Sequence, residues 1–104
     1  MKTMLFAVLT VTLAATPAIA GTDLAKSKKC FECHAVDKEV KGPSFQAIAK
    51  LNKGTDKAEV KLADKIKKGG AEHLGPNAMP SAEARDVKIS DAESKELARW
   101  ILTH

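Results

Sequence analysis

Cys30-Phe31-Glu32-Cys33-His34 is the stretch of this chain whose residue types and spacing specify a chemistry. Two thiols two residues apart, with an imidazole directly after the second, form the attachment pattern of a c-type haem. Each thiol can add across one vinyl group of the porphyrin, and the gap between Cys30 and Cys33 spans the two vinyls on one helical turn. His34 then lies under the iron and can donate a ring nitrogen to it. Three other chemistries use part of the pattern. A thioredoxin-like dithiol needs a βαβ setting, and no strand pattern flanks these residues. A zinc site needs further ligands, and no second Cys-x-x-Cys or His pair completes a tetrahedron. A plain structural disulfide is the third.

A haem iron held on one side by His34 has a second axial position to fill. Met79 is the candidate, in Leu74-Gly75-Pro76-Asn77-Ala78-Met79-Pro80. It is the only methionine after residue 20, and a thioether is a known haem ligand. A lone methionine is more often core filler, and His73 is the rival donor. Residues 71–88 show no clean period, and an irregular loop of that length in a small domain is usually functional. On the other side, a metal-bound histidine wants its second nitrogen hydrogen-bonded, commonly to a backbone carbonyl. Pro43 is placed to offer one, and Gly42 before it lets the backbone approach closely.

The elements that must position these groups read as helices. Thr22 and Asp23 open a first helix, with Thr22 as its N-cap and Leu24 and Phe31 on its apolar face. Ser44 caps a second helix to Leu51, carrying Phe45, Ile48 and Ala49. A third runs from about Asp56 to Lys68, with Asp56 and Glu59 in capping-box relation and Leu62, Ala63 and Ile66 as its buried stripe. Gly69-Gly70 stop it. Ser90 and Glu93 form a capping box for a last helix, in which Leu97, Trp100 and Ile101 share one face. Trp100 is expected to pack this helix against the first helix and the haem. His104, the final residue, is expected to fray.

The chain opens Met1-Lys2, continues with an uncharged, largely apolar run, and reaches Ala18-Ile19-Ala20, a small-x-small cleavage pattern. Residues 1–20 therefore read as a secretory signal peptide and 21–104 as one domain; an uncleaved membrane anchor is the alternative. A core built from the remaining 84 residues is marginal alone, and a covalent, largely apolar haem would complete it. After loss of Lys2, 16 basic and 13 acidic residues give +3, or about +1 if two propionates ionise. That balance excludes a nucleic-acid binder by net charge.

Together these motifs resemble the small bacterial class I cytochromes c, the short single-haem type of periplasmic respiratory chains. The resemblance rests on Cys30-x-x-Cys33-His34, Gly42-Pro43, Gly75-Pro76 before Met79-Pro80, and Leu97-Ala98-x-Trp100-Ile101-Leu102. It implies an all-α fold of about four helices wrapped round one haem c, with His34 and Met79 as axial ligands and the Pro43 carbonyl as partner of His34. Asn77 resembles a polar residue that touches the methionine side in some members. Leu74 stands where many relatives carry a tryptophan that reaches a propionate, and Ser81 to Lys88 looks longer than in the shortest relatives.

The expectation is a periplasmic single-electron carrier and not an enzyme, without stable membrane insertion. The resemblance implies a cytochrome bc-type donor and an oxidase or nitrite reductase acceptor. These would dock at a haem edge ringed by Lys26, Lys28, Lys29 or Lys41. The alternatives are a haem peroxidase or gas sensor with an open distal site, and a dithiol protein without haem.

Overall fold

Leu97, Ala98, Trp100 and Ile101 are all buried, and the other helices are arranged against them. In the computed structural model, residues 3–12, 17–70 and 78–104 are described. They contain four α-helices: α1 (Pro17–Ser27), α2 (Phe45–Asn52), α3 (Ala58–Lys68) and α4 (Asp91–Leu102). A 3-10 turn spans Cys30–Glu32, between α1 and α2. Each of α1, α2 and α3 packs on α4. Among the described residues the only extended pairing is two isolated bridges, His34 with Glu39 and Gly70 with Met79. The class is all-α, as expected. No helix among the described residues is long and apolar enough to cross a membrane.

The core is small and aromatic. Phe45 stands edge-on to Trp100 with ring centroids 5.0 Å apart and to Phe31 at 5.5 Å. Such pairs add about 0.5–1.5 kcal/mol beyond area burial. Leu62, Ala63 and Ile66 bury the α3 stripe as its spacing indicates. At Gly21, α1 lies close against Trp100 of α4. A Cβ there would lie 2.2 Å from Cδ1 of Trp100, so no larger residue fits without moving a helix.

The caps divide into two groups. Ser44 caps α2, its hydroxyl accepting from the Ala47 N–H at 3.0 Å. Ser90 and Glu93 form the reciprocal capping box of α4. Both were legible because cap and partner are three residues apart. Two helix starts differ from expectation. α1 begins at Pro17, so Thr22 is in its interior and not its N-cap. Proline is pre-organised for a first helical position, and Ala18, Ile19 and Ala20 continue the helix in the intact chain. α3 begins at Ala58 with Lys57 as its N-cap, in left-handed backbone at φ 57° and with no side-chain cap. The turn after α2, with Gly54 at φ 76° and the Thr55 N–H on the Asn52 carbonyl, brings the chain to α3 one residue too late for Asp56 to cap it.

Candidate haem-binding site

The first wall of the site is made by sequence neighbours. Lys29 takes left-handed backbone at φ 63° and turns the chain out of α1 into the 3-10 turn. The Cys33 and His34 N–H groups both donate to the Cys30 carbonyl, at 3.3 and 3.0 Å, so the two thiols and the imidazole sit on one tight turn. The Gly42 N–H returns to the Cys33 carbonyl at 2.7 Å and closes the intervening loop. Nδ1–H of His34 donates to the Pro43 carbonyl at 2.7 Å. With that proton on Nδ1, Nε2 carries the free lone pair. Gly42 lies directly against the ring: a Cβ there would come within 2.6 Å of His34 Cε1. The Phe45 ring is the third restraint, 5.5 Å from the imidazole and tilted by 32°. Phe45 is itself fixed by its N–H on the Ala35 carbonyl at 2.9 Å.

The second wall comes from far along the chain. Met79 pairs with Gly70 through two backbone hydrogen bonds, Gly70 N–H to Met79 carbonyl at 2.9 Å and the reverse at 3.1 Å. Gly69, at φ 68°, ends α3 and lies under the same strand of chain. A Cβ there would be 2.3 Å from the Met79 carbonyl oxygen and 2.7 Å from the Pro80 carbonyl carbon. The Ala82 N–H then donates to the Lys67 carbonyl at 2.9 Å. Arg85 reaches back to the Ile66 carbonyl at 2.8 Å.

Between the walls is a cavity of about 190 Å³. Cys30, Cys33 and His34 of the first wall and Met79, Pro80 and Arg85 of the second all line it. The donor set suits haem c: two thiols on one turn, an imidazole with a free Nε2, and a methionine lining the same space. Burial pushes the Cys30 thiol above its ordinary pKa, and the positive charge of Arg85 opposes this in part. Both cysteines are free thiols, so neither is committed to a disulfide.

The structure thus brings Cys30, Cys33, His34 and Met79 together and puts Pro43 behind His34. His73, Leu74, Gly75, Pro76 and Asn77 lie outside the described residues. Two expectations about nearby groups are corrected. Lys28 does not project freely: it pairs with Glu93 at 3.0 Å and donates to the Lys88 carbonyl at 2.7 Å, tying α1 to the start of α4. His104 does not fray. Its ring stands edge-on to Trp100 at 4.6 Å and stacks toward Phe45 at 6.1 Å, and its Nε2 is buried without a hydrogen-bond partner among the described residues. A terminal histidine carries no packing signal in a sequence, so only tertiary contact reveals this. Sequence reasoning also read Gly69-Gly70 as a helix stop and missed their second role beneath Met79. The doublet was the available signal, since two adjacent glycines permit positive φ and close backbone approach. Arg85 gave no signal at all.

Residues 18–104 match the family described as Cytochrome c. The chain is 43% identical to the cytochrome c-552 of Nitrosomonas europaea over 91 residues, which cover 88% of this chain and 84% of that protein. It is 40% identical to the cytochrome c-551 of Azotobacter vinelandii over 84 residues, covering 81% and 96% respectively. The fold is similar to the crystal structure of wild-type Nitrosomonas europaea cytochrome c552, with a TM-score of 0.72 at 43% identity over 79% of this chain and 96% of that one.

Proposed function

The chain belongs to the cytochrome c family and is a haem c electron-transfer protein rather than an enzyme; from that premise we propose that it is a periplasmic carrier whose iron is held by His34 and Met79. The observation that carries the reading is that Met79 faces the same cavity as Cys30, Cys33 and His34. In this reading the haem, when bound, supplies one reversible electron. Cys30 and Cys33 anchor it through thioether bonds. Pro43 fixes the His34 ring by accepting from Nδ1, which presents Nε2 for ligation. Met79 would hold the iron together with His34 and so would leave no position for a peroxide or a gas. A His/Met pair favours a higher potential than two histidines.

Residues 1–20 act as a removable leader in this reading, and Gly21 is the mature start. The small size of Gly21 suits its seat against Trp100. Donor and acceptor are a cytochrome bc-type complex and an oxidase or nitrite reductase, a pairing that rests on family resemblance. Lys26, Lys29 and Lys41 are exposed and available for weak, fast docking, while Lys28 is engaged in its ion pair.

The test is the visible spectrum of protein matured with haem, oxidised and then reduced. Sharp reduced bands, together with a far-red sulfur-to-iron band that Met79→Ala removes, are the expected result. Haem without that band would move the distal ligand to His73 or leave an open site, and a colourless dithiol protein would end the account.

A further inference from the structure

The last turn of a helix leaves carbonyls without intrahelical partners. At the end of α3 these carbonyls are taken up by the segment that follows Met79. The Lys67 carbonyl accepts from Ala82 N–H, and the Ile66 carbonyl accepts from the Arg85 guanidinium at 2.8 Å. The same guanidinium donates through Nε to the Ser81 carbonyl at 3.2 Å, two residues past Met79. Its own backbone N–H also returns to Ser81, at 3.1 Å. Ser81 Oγ in turn accepts from the Ala84 N–H at 3.0 Å. Arg85 therefore adds a side-chain bridge to the backbone bonds that already join the end of α3 to the segment following Met79. Its side chain is half-buried and faces the cavity beside Met79 and Cys30.

We propose that Arg85 is a positioning residue for the distal ligand, stapling the Met79 loop to the end of α3 so that the sulfur resists displacement from the iron. This rests on the His34/Met79 reading above. Arg85 itself does not touch the iron. A planar fork can serve the Ile66 and Ser81 carbonyls together, which a lysine ammonium on a flexible stem does less well. The Gly70–Met79 pairing and the Ala82–Lys67 bond remain when Arg85 is changed, so the fold is expected to survive the substitution.

The experiment uses the haem-loaded protein and added imidazole as competitor for the ferric iron, read by loss of the far-red band. Denaturant unfolding of the same samples gives an independent measure of global stability. In Arg85→Met imidazole should displace Met79 at about one-tenth of the concentration the unaltered protein requires, the factor expected from losing the charge-assisted bond to Ile66, the one of its two side-chain bonds that reaches α3. Arg85→Lys should fall between the two. Equal imidazole competition in Arg85→Met and the unaltered protein would overturn the proposal. So would full recovery in Arg85→Lys, because charge alone would then be sufficient. A change in unfolding midpoint without a change in imidazole competition would also overturn it, leaving Arg85 a general stabiliser. If the unaltered protein shows no band that Met79→Ala removes, the ligation reading fails first and the proposal falls with it.

Discussion

The Cys30–His34 turn and the stretch from Met79 to Arg85 both contribute to one cavity, but they are held in different ways. On the first side, each restraint on His34 comes from within eleven residues of it: the Cys30 carbonyl, Gly42, the Pro43 carbonyl and Phe45. On the second, Met79 is held by Gly69 and Gly70, which precede it by ten and nine residues, and its loop by Ile66 and Lys67 further back. The first side is held around His34 by a tight turn, a side-chain hydrogen bond and a packed ring. At Met79 itself the second side spans similar separations, but the turn after it is tied over longer ones, Ala82 to Lys67 and Arg85 to Ile66, at the end of a helix. The two ligand positions should therefore fail separately, the distal one before the proximal one.

The largest effect should come from Gly69→Ala. The added methyl group meets backbone atoms of Met79 and Pro80, and the residue is in left-handed backbone at φ 68°. Overpacking and backbone strain together should cost about 3 kcal/mol, with the far-red band weakened or lost. Denaturant unfolding and the oxidised spectrum read both effects. Gly42→Ala should be milder, about 1–3 kcal/mol, because the imidazole ring can shift where backbone cannot. Its signature should be on the other side: a displaced His34 ring, seen in the proton spectrum of the reduced protein, with the Met79 band retained. If both variants lost the band equally, the two sides would not be independent.

The smallest effect tests a part that belongs to neither side. The Glu93 carboxyl is held below the usual carboxylate range by the Ser90 backbone N–H, with help from Lys28. A carboxylate with a depressed folded pKa stabilises the fold above its unfolded pKa, near 4.3. That contribution is lost as pH falls through the folded value. Glu93→Gln should therefore flatten part of the acid limb of stability while leaving the haem bands unchanged. Thermal unfolding at about pH 6 and about pH 3 measures it. An unchanged acid limb would remove Glu93 from the account.

The contrast between the sides also explains what was legible beforehand. Cys30, Cys33 and His34 form one contiguous motif, and Gly42-Pro43 follows in the next loop, so that wall could be read in order. The α4 capping box and the α3 stripe were readable for the same reason, since each is defined within one or two turns. Met79 was singled out by its chemistry and lines the cavity, but the residues that hold it were not marked in the sequence. Gly69 and Gly70 meet it across a gap in sequence, and Arg85 acts through carbonyls that no pattern marks. Lys28 and His104 were misread because an exposed lysine and a terminal histidine look unconstrained until a second element packs against them. The left-handed Lys57 start of α3 belongs to the same class, set by the turn before it and not by Asp56 and Glu59.

The central claim is that both axial positions are filled by the protein, His34 from the local side and Met79 from the distant one. Carbon monoxide added to the reduced, haem-loaded protein tests it most directly. The expected result is an unchanged reduced spectrum in the unaltered chain and prompt binding in Met79→Ala. Prompt binding in the unaltered chain would show an open or easily exchanged distal position and would contradict the account.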